Sequence, residues 1–332
     1  MAAKYAIIIP TFNSAGTLAK LLESLELQTY TDFETIVVDD ASTDQTVDVV
    51  KGYPVRYVRQ EPNRGPAACR NLGATLTNAE WLVFADADMV FYPETLATAD
   101  AVVGSSDADA LVGSYAGRPA NPGFVPRYKA LWEYYIIDRP FVENGVTRVA
   151  YNTWAPRPGL VRRNVFEQVG GFDTRFRGAD LEDVDLGYRI VEQGFKIYLV
   201  PGIAAKHHYP QTLKKELRAF ARRCTLWMGM NSSRRKMDKA GEGSPRIALA
   251  HLAGFGAFNA LLLGVLWVPF AILGLALLAA YAALHGPFAA LAWKEGGAAF
   301  AAGCLALCWL HSIVLGFSAG WGLLKRAAGR GR

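Results

Sequence analysis

The chain has 332 residues, of which 52% are hydrophobic and 20% charged, a length that suits about two domains. This composition excludes a disordered chain, which needs low hydrophobicity and high charge. The net charge of +5 is uneven: residues 1–205 hold 19 Lys and Arg against 26 Asp and Glu, 206–246 hold 11 against 3, 247–324 hold only Lys294 and Glu295, and 325–332 add four cations. The acidic first block argues against nucleic acid as a partner, because phosphate contacts need clustered Lys and Arg. The basic second block precedes an apolar stretch, so anionic lipid headgroups are its expected partner. Cys69, Cys224, Cys304 and Cys308 have neither zinc nor redox spacing, so a disulfide framework is not expected and a reduced cytosolic face is.

In chain order, YAIII (5–9) reads as a buried parallel strand ending at Pro10. Ser14 can cap a helix carrying Leu18, Leu21, Leu22 and Leu25. Strands follow at 34–40, 55–60, 81–88 and 111–115, with helices at 44–53 and 65–76. This β-α alternation predicts an α/β fold with a mostly parallel sheet, whose ligands bind beyond the carboxyl ends of the strands. Pro10–Asn13, Asp39–Asp44 and Asp86–Asp88 fall at those ends. Neither a Walker loop nor G-x-G-x-x-G follows the first strand, so phosphate must be held otherwise; Gly65 and the helix start behind it offer free N–H groups.

Asp86 and Asp88, separated by Ala87, point to one side of a strand end. No local cation pairs with them, and two close carboxylates favour the arrival of a hard divalent ion, Mg²⁺ or Mn²⁺. Such an ion neutralises a diphosphate leaving group. Further on, Trp154 is placed to stack on a sugar or base or to pack between domains. Gly170 and Gly171 permit a left-handed turn. Asp180, Glu182, Asp183 and Asp185 crowd the first turn of a helix over 181–194, more acids than the helix dipole explains. A strand at 196–201 leads to His207 and His208.

Residues 212–230 form a basic amphipathic helix with Leu213, Leu217, Phe220, Cys224 and Trp227 on one face, suited to the headgroup plane. The 38 residues 247–284 and the 27 residues 298–324 lack Asp, Glu, Lys and Arg, and each exceeds the roughly 20 residues that cross a bilayer. Basic clusters flank the region on both sides (Arg234, Arg235, Lys236, Lys239 and Arg246 before, the tail after). The positive-inside rule then predicts two crossings, about 261–284 and 298–324, with the acidic block and the C-terminus in the cytoplasm at the inner membrane. A break at Pro269, giving three crossings, ranks second. The expected organisation is a 1–205 domain, a 206–246 connector and a 247–332 membrane region; the N-terminus is too short and polar for a signal peptide.

YAIIIPTFN, VVDDASTDQT, NRGPAACRNLGA, FADAD and GGFDTRFRGADLEDVDLGYR together resemble the family 2 glycosyltransferases of GT-A fold, over about residues 4–210. The resemblance implies inverting transfer of a sugar from a nucleoside-diphosphate sugar, with UDP-sugars favoured, to a hydroxyl of a lipid-linked or membrane-proximal glycan. It implies that Pro10, Thr11 and Asn13 border the base pocket, that Asp40 contacts base or ribose, and that Asp39 and Asp44 shape that loop. Asn63, Gly65, Ala68, Arg70 and Asn71 would lie along the donor, with Arg70 or Arg64 near the diphosphate. Asp86 would touch ribose or sugar and Asp88 the metal, with His207 or His208 completing the metal shell and favouring Mn²⁺. Asp183 would be the base, ahead of Asp185, and Glu182 would orient the acceptor.

Three alternatives compete. A polyprenyl phosphate acceptor would need the base less. A nucleotidyltransferase would need a basic loop, and TFNSAG (11–16) has no Lys or Arg. A catalytically dead membrane scaffold would have no reason to keep these acids. Processive synthases of similar architecture carry Q/R-x-x-R-W, whereas here Arg223 and Trp227 have the wrong spacing, so a single transfer is expected. Oligomeric state is not legible.

Overall fold

Apolar runs too short for helices and flanked by polar turns build the sheet. The computed structural model describes residues 3–115, 117–145, 147–176, 178, 181–234 and 244–327, and the side chains of all of these except 227–234 and 322–327. Asp180, Arg235, Lys236, Lys239, Arg330 and Arg332 therefore lie outside the described residues, as do the side chains of Trp227, Arg234, Lys325 and Arg326. Two units are present: the chain up to Asn121 with Asp138–Tyr209, and Pro122–Ile137 with the chain from Pro210.

In the first unit β1 (Tyr5–Thr11), β2 (Phe33–Asp39), β3 (Arg56–Arg59) and β4 (Trp81–Phe84) run parallel in the order β3-β2-β1-β4. Ile8 stands between Ile36 and Phe84, and Ile7, Ile8 and Ile9 are fully buried. Each such side chain contributes roughly 1.5–3 kcal/mol by leaving water, which fixes the register that carries Asp39 and Asp86 to one edge. Beyond β4 the sheet becomes mixed rather than mostly parallel. β8 (Gly159–Arg162) is antiparallel to β4 and to β6 (Ala110–Tyr115). β9 (Ile197–His207) runs parallel to β6 and antiparallel to β5 (Met89–Phe91) and β7 (Val149–Tyr151).

Helices cover this sheet: α1 (Ala15–Glu26), α2 (Thr46–Val50), α3 (Pro66–Thr75), α4 (Thr95–Gly104), α6 (Arg139–Val142), α7 (Arg163–Gln168) and α8 (Glu182–Glu192). Ser14 does not cap α1 as expected: its hydroxyl donates to the Phe12 carbonyl, and Asp44 instead accepts from the Ala15 N–H at 3.2 Å. The strand expected over 81–88 stops at Phe84, and the one expected over 196–201 runs on to His207.

The second unit is helical: α5 (Phe124–Glu133), α9 (Leu213–Arg234), α10 (Pro245–Gly264), α11 (Val268–Leu284) and α12 (Gly286–Ala327). Trp132 packs edge-on to Phe288 at 4.9 Å, inside a cluster that includes Tyr128, Phe300 and Cys304. The charge-free run is cut differently from the expected 261–284 and 298–324. One helix ends at Gly264 and the next begins at Val268, next to Pro269, because a proline ring suits the first turn of a helix and not its interior. α12 bends at Gly297, where φ is +75°, a conformation glycine adopts without steric cost. Two helices, Pro245–Gly264 and Gly286–Trp321, are long and apolar enough to cross a membrane.

Candidate active site

The carboxyl ends of β1, β2 and β4 form one polar edge. At the first, Asn13 adopts φ +50° and its Oδ1 accepts from the backbone N–H of Thr43 at 2.8 Å, while its own N–H donates to Ser42 Oγ at 2.9 Å. The two loops after β1 and β2 are thereby tied together. Pro10 and Thr11 are buried in β1 beside them. Phe12, between Thr11 and Asn13, leaves half its surface in solvent. A single aromatic in a turn carries no pattern in the sequence that would mark it.

Asp39 and Asp40 both bond to their own loops. Asp39 is fully buried and accepts hydrogen bonds from Ser42 N–H at 2.9 Å, Tyr57 OH at 2.6 Å and Arg59 Nη1 at 3.0 Å. Asp40 accepts from the backbone N–H of Arg64 at 2.8 Å, of Gly65 at 2.7 Å and from Gln60 at 2.9 Å. Both carboxylates thus organise loops. Asp40 also stands at the start of α3, where Gly65 takes φ +90°, so the Gly65 N–H, one of those at the helix start expected to be free for phosphate, already has an anion. Asn63 donates to the Asp40 carbonyl at 3.0 Å, and the Arg64 side chain is exposed. Asp44 accepts from Ala15 and Thr46; burial would raise its carboxyl, and these bonds hold it below the usual range.

Arg70 is the hub of the site. Its side chain, 3% exposed, donates to Asp86 at 2.6 Å and to Glu182 at 2.9 Å. It is therefore committed to protein carboxylates and is not a free contact for a diphosphate. The pairing also corrects the view that Asp86 and Asp88 lack a cation. Burial raises the Asp86 carboxyl, and Arg70 offsets this only in part. Ala68 is half-buried on α3, and Ala87 is buried between the two acids. Asn71, expected along the donor, instead clamps a loop: its Nδ2 donates to the Phe172 carbonyl at 2.8 Å and its Oδ1 accepts the Phe172 N–H at 2.9 Å. Gly171, at φ +66°, lies against that amide.

Asp88 keeps 40% of its side chain accessible and faces His207 Nε2 at 3.2 Å. Burial pushes its carboxyl up, and the facing imidazole outweighs this to hold it low. β5 pairs Met89 with His207, so β9 delivers His207 one position away from Asp88. His208 turns elsewhere: its backbone N–H and Nδ1 both meet the Asp88 carbonyl, and its Nε2 lies 3.4 Å from Lys20. The structure thus brings His207, not His208, to the Asp88 carboxylate.

α8 carries the second acid set. Gly187 lies so close to the backbone of Thr153 and Trp154 that a Cβ there would overlap it, so this glycine seats the helix. Trp154 itself is buried against Phe84 and Phe172 and donates to the Leu160 carbonyl at 3.2 Å; it is core, not a stacking platform. Asp183 is pushed up to about 7, first by burial and then by Glu182 beside it. Asp185 pairs with Arg189 at 2.8 Å.

An α/β sheet with acids at its strand ends and a raised carboxyl on a facing helix defines a GT-A-type domain. Residues 6–170 match the family model described as Glycosyl transferase family 2, so this part of the chain is a domain of that family. An uncharacterized glycosyltransferase of Haemophilus influenzae is 42% identical over 90 residues, covering 27% of this chain and 31% of that protein. The validoxylamine A glucosyltransferase of Streptomyces hygroscopicus subsp. jinggangensis is 32% identical over 236 residues, covering 61% and 55%. The chain thus spans about a third to a half of the length of these relatives. The mannosyltransferase PcManGT from Pyrobaculum calidifontis, solved with GDP-Man and Mn²⁺, shares the fold at TM-score 0.57 and 20% identity, over 95% of this chain and 87% of that one. The family match ends before α8 and β9, so Asp183 and His207 lie beyond it.

Proposed function

We propose that the chain transfers a sugar, with inversion, from a nucleoside-diphosphate sugar to an acceptor hydroxyl at a membrane surface. One arrangement carries this reading: Arg70 bridges Asp86, at the end of β4, to Glu182, which stands next to Asp183 in the first turn of α8, where burial raises the Asp183 carboxyl. A carboxylate tuned toward neutrality is suited to take a hydroxyl proton at physiological pH. Arg70 ties Glu182, its neighbour, to Asp86 on the donor side.

Asp88 and His207 fit a divalent cation. Asp88 Oδ1 is buried without a hydrogen bond and faces the imidazole, a mixed oxygen–nitrogen pair that suits Mn²⁺ better than Mg²⁺. Among the described residues no group of three or more His, Cys, Asp or Glu could hold a metal ion, so water and phosphate oxygens would supply the other positions. When bound, the ion would neutralise charge on the departing diphosphate. UDP-sugars stand first in a donor panel with GDP- and TDP-sugars.

The helical unit would anchor the chain in the membrane, which makes a lipid-linked glycan the favoured acceptor. A polyprenyl phosphate acceptor is the second reading. Asp183→Asn separates them: loss of transfer to a hydroxyl acceptor with donor binding retained supports the first, and undiminished transfer refutes Asp183 as base.

A further inference from the structure

Building on the membrane anchoring proposed above, we infer that the helical unit crosses the bilayer three times and carries the basic C-terminus to the face opposite the start of α10. The arrangement of its own helices leads there. α10 and α11 are an antiparallel hairpin: Gly264 packs on Ala271, Gly274 on Leu261, and Gly254 on Tyr281. The two ends of the hairpin are joined, since Arg246 Nε donates to the Leu284 carbonyl at 2.9 Å.

α12 then returns alongside α10 in the same direction. His251 Nδ1 and Ser312 Oγ are 2.9 Å apart, Gly316 lies against Phe255, and the Phe255 and Phe258 rings meet Phe317 at 5.5 and 6.1 Å. Trp309 donates to the Gly254 carbonyl at 2.9 Å. From His251 and Gly254, which both meet Ser312, to Phe258, which meets Phe317, the α12 partner number rises with the α10 number; the long Trp309 side chain reaches Gly254 from about one turn earlier in α12. Continued at helical rise, Lys325 and Arg326 arrive at the level of the hairpin tip.

Polarity is graded along the same axis. The joined end holds Arg246, His251, His285, His311 and Ser312, with Lys129 and Glu216 3.6 Å apart beside His311. The tip is Val265, Leu266, Trp267 and Val268, with Val265 and Leu266 85% and 84% exposed. From Arg246 to Leu266 is about 30 Å at 1.5 Å per residue, the thickness of the hydrocarbon core. A hairpin stopping at mid-depth would leave the cations of the tail in hydrocarbon, where they are strongly disfavoured. A complete crossing places them in water and sets Trp267 and Trp321 near the far interface, where tryptophan is favoured. The positive-inside rule alone returns the tail to the cytoplasm, but that would require α12 to run against α10 and forfeit every contact above.

The test uses the full chain in a bacterial inner membrane. Alkaline phosphatase and green fluorescent protein are fused in turn to the C-terminus, and Leu266→Cys is probed with a membrane-impermeant maleimide in spheroplasts and in inside-out vesicles. We expect an active phosphatase, a dark fluorescent protein and labelling of Leu266→Cys only from the outer face. Fluorescence at the C-terminus, or labelling only from the inner face or from neither, overturns three crossings. Alkaline carbonate extraction separates the two levels: a chain released from the membrane refutes anchoring itself, whereas a retained chain with a cytoplasmic tail refutes only this topology.

Discussion

Arg70 and Glu182, 112 positions apart, meet through a 2.9 Å hydrogen bond with both side chains almost wholly buried. The pair joins α3, which follows the loops after β1 and β2, to the helix that carries Asp183. Its second arm reaches Asp86, so one guanidinium sets the spacing between the two halves of the site.

Arg70→Ala should therefore cost both fold and activity. Removing one partner of a buried pair leaves an uncompensated charge and typically destabilises by about 3–5 kcal/mol. Arg70→Lys keeps the charge but loses the fork that serves two carboxylates at once, so it should recover part of the stability and little of the turnover. Thermal unfolding and initial rates, measured on the same detergent-purified samples, check this. Wild-type rates in Arg70→Lys would show that the fork is dispensable.

Asp183 links pH to both rate and stability. As a base it acts when ionised, so kcat/KM should climb as pH rises through about 7. Its folded value lies above its ordinary value of 3.8. Its contribution to stability is thus complete below that ordinary value and lost as pH rises through about 7. Asp183→Asn should lower kcat by roughly 10²–10⁴ and flatten this part of the stability profile. A pH–rate profile that stays rising in the variant would assign the limb to another group.

Asp88 and His207 should set the metal requirement. Chelation of divalent ions should abolish turnover, and Mn²⁺ should restore it better than Mg²⁺. His207→Ala should raise the Mn²⁺ concentration for half-maximal rate at least tenfold, while His208→Ala, whose ring faces a carbonyl and Lys20, should move it little. Equal shifts in the two variants would contradict the geometry.

Gly187→Ala tests how α8 is seated. The added methyl would overlap the Thr153–Trp154 backbone, and overpacking of this kind costs about 1–3 kcal/mol. Turnover should fall further than donor binding, because the helix that moves carries Asp183 and not the nucleotide loops. Nucleotide binding by calorimetry beside kcat separates the two effects.

Much of the first unit is legible in the residues. YAIII, the run before Asp39 and the run before Asp86 are strands because continuous apolar stretches punctuated by polar turns have no other stable use in an α/β domain. The Asp86–Asp88 spacing placed both acids at a strand end. Partners distant in sequence were not legible. Arg70 meets Glu182 only once the 112 positions between them have folded, and Asp40 looks like a ligand contact until the Arg64 and Gly65 N–H groups come to meet it. Trp154 reads equally well as platform or core, and only Phe84 and Phe172 decide it. In the charge-free region, hydrophobicity is nearly uniform around each helix, so periodicity marks no ends. Pro269 was the sole punctuation, and the helix does restart beside it.

The tie between Asn13 and the Thr43 N–H has a thermodynamic consequence. Two surface loops that would otherwise sample many shapes are locked to each other before any nucleotide arrives. The freedom they lose is surrendered when the chain folds rather than when the donor docks. Asn13→Ala should therefore weaken nucleotide affinity chiefly through a more unfavourable binding entropy, with the enthalpy of association largely preserved.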